Sequence, residues 1–183
     1  MAPILDVRNL QTHFFTKGGV LKAVDGVSFE IGAGEIVGLV GESGSGKSIT
    51  GFSVLGLVDA PGRIVGGEIL FKGTDLKTLP AAEMQKMRGS SIAMIFQDPM
   101  MTLNPVLRIE TQMIEAIQTH DSSVSKDEAR QRSRDALGLV GISSPEERMR
   151  AYPHQFSGGM RQRVSIAIAM LNRPDLIIAD EPT

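Results

Sequence analysis

Residues 36–48 read Ile-Val-Gly-Leu-Val-Gly-Glu-Ser-Gly-Ser-Gly-Lys-Ser, and this stretch decides the fold. The unbroken apolar run at 36–40 predicts a β-strand that is buried on both faces. The following residues match G-x-x-x-x-G-K-[ST], a glycine-rich loop whose backbone amides surround phosphate oxygens. A helix predicted to begin at Gly46 would direct its positive end at the same anion. The stretch therefore predicts a phosphate-binding loop in an α/β protein.

The side chains of this loop predict the ligand more closely. Lys47 supplies a point charge for the β- and γ-phosphates, and the Ser48 hydroxyl can ligate Mg²⁺. A flexible Gly/Ser turn before a helix is the alternative, but the predicted strand and helix on either side favour phosphate. The residues predicted to contact the nucleotide are therefore Gly41, Ser43, Gly44, Ser45, Gly46, Lys47, Ser48 and Ile49.

A second apolar run, Leu176–Ala179, predicts another buried strand and ends in Asp180 and Glu181. In a phosphate-binding-loop protein, an acid in this position holds Mg²⁺ directly or through water. Glu181 is then placed to orient or deprotonate an attacking water. Two solvated loop carboxylates would be the simpler interpretation of an isolated Asp-Glu pair. Because a phosphate-binding loop at 41–48 precedes them in the chain, the metal role for Asp180 and the base role for Glu181 are favoured.

Ser157, Gly158 and Gly159 predict a second anion site, at the start of a helix over 160–171. Ser157 can cap this helix, and the glycines leave amides exposed at its positive end. An ordinary N-cap without a ligand is the alternative. Two phosphate-type sites in one chain suggest that nucleotide is shared between two copies.

Gln97 and two phenylalanines are weaker candidates. Gln97 ends a predicted strand, Ile92–Phe96, and its amide could reach water or Mg²⁺, although a polar strand end is equally simple. Phe14 and Phe15 could stack on a base or pack in a core, and the pattern does not choose between these roles.

The rest of the pattern predicts an antiparallel N-terminal part and a helical insert. Apolar and polar residues alternate on both sides of Thr16–Gly19, as in two antiparallel strands joined at that point. Ser125 and Ser144 each stand three residues before a glutamate, which is a capping-box pattern, within helices predicted over roughly 106–151. We expect a largely parallel α/β sheet with a core at about 1–97 and 164–183, and a helical subdomain at about 98–163.

Composition excludes several classes of protein. The chain has 183 residues and 42% hydrophobic residues, enough to form a core. With 19 basic and 21 acidic residues, a nucleic-acid partner is disfavoured. Cys is 0, which excludes disulfides and thiolate metal sites in this stretch. No apolar run approaches the roughly 18 residues of a membrane-spanning helix, and no signal peptide is visible.

These motifs, in this order, resemble the ATP-binding cassette (ABC) ATPase family. Gly41–Ser48 looks like Walker A, Gln97 like the Q-loop, Phe156–Met160 like the signature and Leu176–Glu181 like Walker B. Longer stretches at 41–48, 95–105 and 152–163 are similar to the peptide/nickel importer subfamily, and most similar to its dipeptide and oligopeptide permease ATPases. The family pattern places the base-stacking aromatic at Phe14, with Phe15 as the other possibility.

The sequence departs from the family pattern in two ways. Phe156 and Met160 replace the leucine and glutamine of the general signature, as is common in peptide importers, while Ser157, Gly158 and Gly159 remain. The family's D-loop and switch histidine fall beyond Thr183, so the resemblance implies the N-terminal part of a longer ATPase, truncated after Walker B. It also implies that the next strand inserts between the strands of Walker A and Walker B, and that 1–183 alone is inactive and poorly folded.

The resemblance implies an ATP- and Mg²⁺-dependent ATPase subunit that powers uptake of di- or oligopeptides from the cytoplasmic face of the membrane. Its partners would be a second ATPase subunit, identical or related, transmembrane permease subunits and, indirectly, an extracytoplasmic solute-binding protein. Met100 and Met101, near Gln97, would face the permease. The alternatives are another solute such as nickel or glutathione, an ABC ATPase of DNA repair or chromosome organisation, or nucleotide binding alone. The interval between Gln97 and Ser157 lacks the sustained heptads of a coiled coil, which disfavours the chromosome-organising type.

Overall fold

The structure is a computed structural model that describes residues 2–181. They form two compact units, the first up to Gln85 and the second from Lys86. In the part of the chain that is described, no helix is both long and apolar enough to cross a membrane.

The first unit is built on a four-stranded antiparallel sheet with the strand order β2-β1-β3-β4. The predicted antiparallel N-terminal part is therefore confirmed. Its helix α1 begins directly after the glycine-rich loop, and α2 follows the sheet in the chain. The elements are β1 (Leu5–Thr16), β2 (Gly19–Ile31), α1 (Lys47–Val54), β3 (Gly62–Phe71), β4 (Thr74–Asp75) and α2 (Ala81–Met87), whose last two residues belong to the second unit.

One face of β1 and β2 packs against α1. On this face Val24 is buried, and the Thr12 and Ser53 hydroxyls lie 2.8 Å apart in the interior. The pairing of β1 with β2 passes from Thr12–Val24 to His13–Lys22 and so skips Ala23, which forms a bulge. Gly46, just before α1, lies against the Ala23 carbonyl oxygen: a Cβ on Gly46 would be only 2.2 Å from it.

The predicted buried strand at 36–40 is wrong for this structure. Ile36–Val40 forms neither strand nor helix, and the exposed fractions of Ile36 and Val40 are 99% and 90%. A strand requires a neighbour for its N–H and C=O groups, and no described strand pairs with this run. The apolar pattern indicates a segment suited to burial, but it does not itself provide the strands and helices that would bury it.

The second unit contains a two-stranded parallel sheet and a group of helices that pack on a shared core. The elements are β5 (Ile92–Ile95), α3 (Ile109–Gln118), α4 (Lys126–Leu139), α5 (Pro145–Arg148), α6 (Gly158–Met170) and β6 (Leu176–Ala179). The predicted helical insert is thus confirmed. Its largest fully buried core residues are Leu103, Ile109, Met113, Ile117, Leu137 and Met149. The predicted boundaries of a core and a helical subdomain remain a prediction.

The two predicted capping boxes have different outcomes. Ser125 caps α4 as predicted, since its hydroxyl accepts a hydrogen bond from the Glu128 amide at 3.2 Å. The Ser144 prediction is wrong, because Ser144 has left-handed backbone angles and makes no side-chain cap. Capping by a hydroxyl requires an extended backbone. The Glu147 amide instead donates to the Ser144 carbonyl at 3.1 Å.

The buried hydroxyl pair predicts an asymmetric pair of mutational effects. Ser53 donates its proton to the Ile49 carbonyl at 2.7 Å, so Thr12 must donate to Ser53. Ser53→Ala leaves a buried donor unsatisfied, so we expect it to lower the free energy of unfolding by about 1–3 kcal/mol. Thr12→Val leaves the Ser53 bond intact and should cost less than about 1 kcal/mol. Urea unfolding of the full-length protein measures both values, and equal losses would contradict this assignment of the donor.

The contact of Gly46 with Ala23 predicts a second difference. Gly44 and Gly46 both have positive φ, 80° and 95°, but a Cβ on Gly44 would meet nothing within 4 Å. Gly44→Ala should cost about 1–2 kcal/mol for the left-handed backbone alone. Gly46→Ala should cost roughly 1–3 kcal/mol more, because its Cβ would overlap a backbone oxygen that cannot move freely. Unfolding free energies measure the difference, and the same loss for both variants would show that the Ala23 contact is unimportant.

Candidate nucleotide site

The loop before α1 holds the Lys47 ammonium within hydrogen-bonding distance of its own backbone. Lys47 Nζ donates to the Gly41 carbonyl at 3.0 Å and to the Glu42 carbonyl at 2.9 Å. The Ser45 amide donates to the Glu42 carbonyl at 3.1 Å and closes the turn. Residues 41–45 are exposed, so a positive charge is presented by an open, curled loop.

The first turn of α1 adds the amides of a helix N-terminus to this charge. Gly46 occupies the N-cap position with a left-handed backbone, and the helix begins at Lys47, close to the predicted start. Ser48 and Ile49 lie in the first turn and are half-buried. The first amides of a helix have no partner within it, and its positive end favours anions. The donors present thus fit phosphate oxygens.

The two phenylalanines lie on opposite faces of β1, because successive strand residues alternate in direction. The ring of Phe14 lies over Gly62 of β3, since a Cβ on Gly62 would be only 2.6 Å from Phe14 Cε1. The ring of Phe15 is covered by the Arg63 guanidinium, whose carbon lies 4.1 Å from the ring centroid. Thr12, which contacts Ser53 of α1, shares its face with Phe14. Phe14 therefore lies on the face of the sheet that carries α1.

Charged groups occupy the face of the sheet that α1 does not cover. Lys22 Nζ donates to Asp25 Oδ2 at 3.2 Å, and this hydrogen bond lowers the pKa of Asp25. His13 Nε2 lies 3.5 Å from Asp25 Oδ1 on the same face. The polar face and the face of Phe14 are thus separated by the strand alternation of β1 and β2.

In the second unit, Gln97 and Glu181 are brought together by strand register. β5 and β6 are parallel, and Ile95 pairs with Ala179 at their carboxyl ends. Gln97 and Glu181 each follow two residues later, so they emerge side by side. The Gln97 amide donates to Glu181 Oε2 at 2.7 Å. Gln97, a weak sequence signal, and Glu181, a favoured one, thus form one polar pair at the end of a sheet.

Asp180 and Glu181 differ in their setting. The Asp180 amide continues the ladder by donating to the Ile95 carbonyl at 2.9 Å, and Asp180 is half-buried. Glu181 is exposed, and its φ of 46° is rarely adopted by a residue with a side chain. The turn that follows β6 therefore presents the Glu181 carboxylate to solvent next to Gln97. Among the described residues, no group of three or more His, Asp or Glu could hold a metal ion alone.

Ser157 caps α6 as predicted, accepting a hydrogen bond from the Met160 amide at 3.3 Å. Gly158 and Gly159 are exposed, and a Cβ on either would meet nothing within 4 Å. Phe156 is buried in the helical core and anchors this end of the helix. The structure therefore offers a capped helix N-terminus with an open approach.

Several contacts around these residues were absent from the sequence prediction. Arg161 joins the start of α6 to the segment after Gln97, since its Nε donates to the Phe156 carbonyl at 3.0 Å and its Nη1 lies 3.6 Å from Met100 Sδ. No sequence motif includes Gly62. The pairing of β1 with β3 would have been needed to place it opposite Phe14.

Comparison with known proteins agrees with the motifs. A family model described as ABC transporter matches residues 24–183. The dipeptide transport ATP-binding protein DppD of Haemophilus influenzae is 48% identical over 180 residues, covering 98% of this chain and 54% of that protein. The oligopeptide transport ATP-binding protein AppD of Bacillus subtilis is 51% identical over 184 residues, covering 100% of this chain and 56% of that protein. The chain spans about half the length of these curated relatives.

A solved structure supports the fold. The dimeric, post-hydrolysis structure of the ATP-binding cassette MJ0796 bound to ADP and Pi matches with a TM-score of 0.87 and 28% identity, covering 98% of this chain and 74% of that one. The predicted ABC ATPase fold class and the resemblance to dipeptide and oligopeptide transport ATPases are thus confirmed. The expectation of a largely parallel sheet is wrong for the described strands, because only β5 and β6 pair in parallel. The chain belongs to the ABC transporter family.

Proposed function

We propose that this chain carries the ATP-binding and ATP-hydrolysing machinery of a subunit that powers uptake of di- or oligopeptides through a membrane ABC importer. The observation that carries the proposal is the loop at 41–48, which presents the Lys47 ammonium beside the start of α1. The peptide solute is supported by relatives whose names specify dipeptide and oligopeptide transport.

The loop and Phe14 bind the nucleotide in this proposal. Lys47 exchanges its two carbonyl partners for β- and γ-phosphate oxygens, and the amides of the loop and of the first turn of α1 donate to the same groups. Gly41, Ser43, Gly44, Ser45, Gly46, Ser48 and Ile49 line this part of the site. Phe14 stacks on the base, because it lies on the face of the sheet that carries α1, whereas Arg63 covers Phe15.

Hydrolysis is assigned to the polar pair at the end of β5 and β6. The Glu181 carboxylate accepts a proton from water as the water oxygen attacks the γ-phosphorus, and the bond to the β,γ-bridging oxygen breaks to release ADP. Gln97, which donates to Glu181 Oε2, orients the carboxylate and the water. An exposed carboxylate next to an amide donor is suited to holding one water molecule in place.

Mg²⁺ fits the residues assigned to it. Ser48, Gln97 and Asp180 offer a hydroxyl, an amide and a carboxylate, the oxygen ligands that Mg²⁺ prefers alongside substrate phosphates. Such a site needs no cluster of protein carboxylates, and none occurs in residues 2–181. When bound, the ion neutralises charge that develops on the phosphates.

The second anion site is assigned to a second copy of the subunit. Ser157, Gly158 and Gly159 would contact nucleotide held by Lys47 of a second subunit, identical or related. The capped, exposed start of α6 supports this assignment. Binding and hydrolysis would close and open the pair and so drive permease subunits that receive solute from an extracytoplasmic binding protein. The subunit would lie on the cytoplasmic face of the membrane, with Met100 and Met101 towards the permease.

Two substitutions in the full-length protein test the proposed division between binding and chemistry. Lys47→Ala should remove most of the affinity for ATP, because it deletes the charge that faces the phosphates. Glu181→Gln should preserve binding but lower turnover about 10²–10⁴-fold, as for loss of a general base. Calorimetry and phosphate release measure these effects. Glu147→Gln, an exposed carboxylate on α5, is the control and should match the wild type. Wild-type turnover in Glu181→Gln would rule out its role as the base.

Ser157→Arg in the full-length protein tests the shared site. An arginine would fill the space intended for the other subunit's γ-phosphate, so ATP-driven dimerisation should be lost while the monomer still binds ATP. Size-exclusion chromatography with ATP in the Glu181→Gln background measures dimerisation. Ser125→Arg, which removes the matching cap from α4, is the control and should still dimerise. If the Ser157→Arg monomer loses ATP binding as well, Ser157 acts within its own subunit and the shared-site proposal is wrong.

A further inference from the structure

We propose that Gly62 is a positioning residue for nucleotide binding, and that it seats Phe14 in an apolar shelf completed by Leu21. This inference rests on the proposed binding of ATP. The shelf consists of Leu21, Phe14 and Gly62, and no sequence motif points to the first or the last of these.

Strand pairing forms the shelf. Leu21 of β2 and Gly62 of β3 both pair with Phe14 of β1, so the three residues form one row across the sheet. Residues that are directly paired across strands share a face. Leu21 is 62% exposed and Phe14 is half-buried, so the row presents apolar surface to solvent.

Gly62 is the part of the row that admits the aromatic ring. A Cβ there would lie 2.6 Å from Phe14 Cε1 and 2.9 Å from Phe14 Cδ1, and 2.8 Å from Val58 Cγ1. The φ of Gly62 is not in the left-handed region, so its backbone would accept alanine without strain. The absence of a side chain at Gly62 therefore serves the position of the ring rather than the conformation of the chain.

The shelf lies at a suitable distance from the phosphate loop. Gly46 approaches the carbonyl of Ala23, and Leu21 precedes Ala23 by two residues on β2. Two residues of a strand span about 7 Å. Thr12, two residues before Phe14, contacts Ser53 of α1 on the same face. A nucleotide with its phosphates at Lys47 can therefore extend its base onto the shelf.

The chemistry of the shelf fits the planar face of a base. An aromatic ring flanked by a leucine and a bare backbone gives a flat apolar surface, which favours stacking over hydrogen bonding to base edges. The charged residues around Asp25 are kept on the other face. The shelf should therefore contribute to the binding of nucleotides but not to the binding of bare polyphosphates.

Calorimetry on the full-length protein, with ATP and with inorganic tripolyphosphate, tests this inference. Gly62→Ala displaces the ring and should weaken ATP binding about three- to tenfold, part of the value of an aromatic–base stack, while tripolyphosphate binding is unchanged. In a Phe14→Ala background, Gly62→Ala should cause no further loss, because coupled residues are not additive. Gly66→Ala is the matched control: it adds a Cβ to the same strand, against the Gln11 side chain, and should bind both ligands normally.

Leu21→Ala is a second test that does not depend on the folding of Gly62→Ala, since Leu21 is largely exposed. It should weaken binding of ATP and leave that of tripolyphosphate unchanged. The inference is overturned if neither variant changes the affinity for ATP, or if the affinities for ATP and tripolyphosphate fall equally. It is also overturned if Gly62→Ala lowers the affinity for ATP as much in the Phe14→Ala background as in the wild type. If the wild type binds ATP no more tightly than tripolyphosphate, the shelf does not contribute to binding, but the proposed role of the loop at 41–48 is unaffected. If it binds neither ligand, the proposed function fails as well.

Discussion

The close approach of Gly46 to the Ala23 carbonyl is the contact on which the arrangement of the first unit depends. It is possible because the β1–β2 register skips Ala23 and because Gly46 has no side chain. The contact fixes the start of α1 beside β2, and the Thr12–Ser53 hydroxyl pair fixes its later part against β1. A loop that would otherwise be only a flexible Gly/Ser segment is thereby held at one position on the sheet.

The second unit relies on a different constraint, the register of two parallel strands. Once Ile95 is paired with Ala179, the equal offsets of Gln97 and Glu181 place their side chains together. A slip of one residue would turn one of the two side chains to the opposite face and separate the pair. The chemistry at this end of the sheet thus follows from backbone hydrogen bonds rather than from the sequence near either residue.

What could be predicted from the sequence depends on the distance over which each signal acts. The hairpin of β1 and β2, the Ser125 and Ser157 caps and the start of α1 are local, and their prediction was correct. The Ser144 cap was wrong, because a capping pattern does not report backbone angles. The run at 36–40 was wrong, because its burial depends on partners that a sequence window does not contain. The roles of Leu21 and Gly62 need the pairing of three strands, which no motif specifies.

Positive backbone angles occur at several of the residues assigned to phosphate and water. Gly44 and Gly46 adopt them at little cost, since glycine lacks a Cβ. Glu181 adopts φ of 46° with a full side chain, and such a conformation costs about 1–3 kcal/mol and persists only where the surrounding structure holds it. Here two contacts act around that residue: the Asp180 amide bonds to Ile95, and the Gln97 amide bonds to the Glu181 carboxylate. The backbone hydrogen bond to Ile95 therefore restrains the start of the turn, and the hydrogen bond from Gln97 restrains the Glu181 carboxylate. If Gln97 binds a water or an ion as proposed, its amide gives up the hydrogen bond to Glu181, so binding at Gln97 would change how the carboxylate is held.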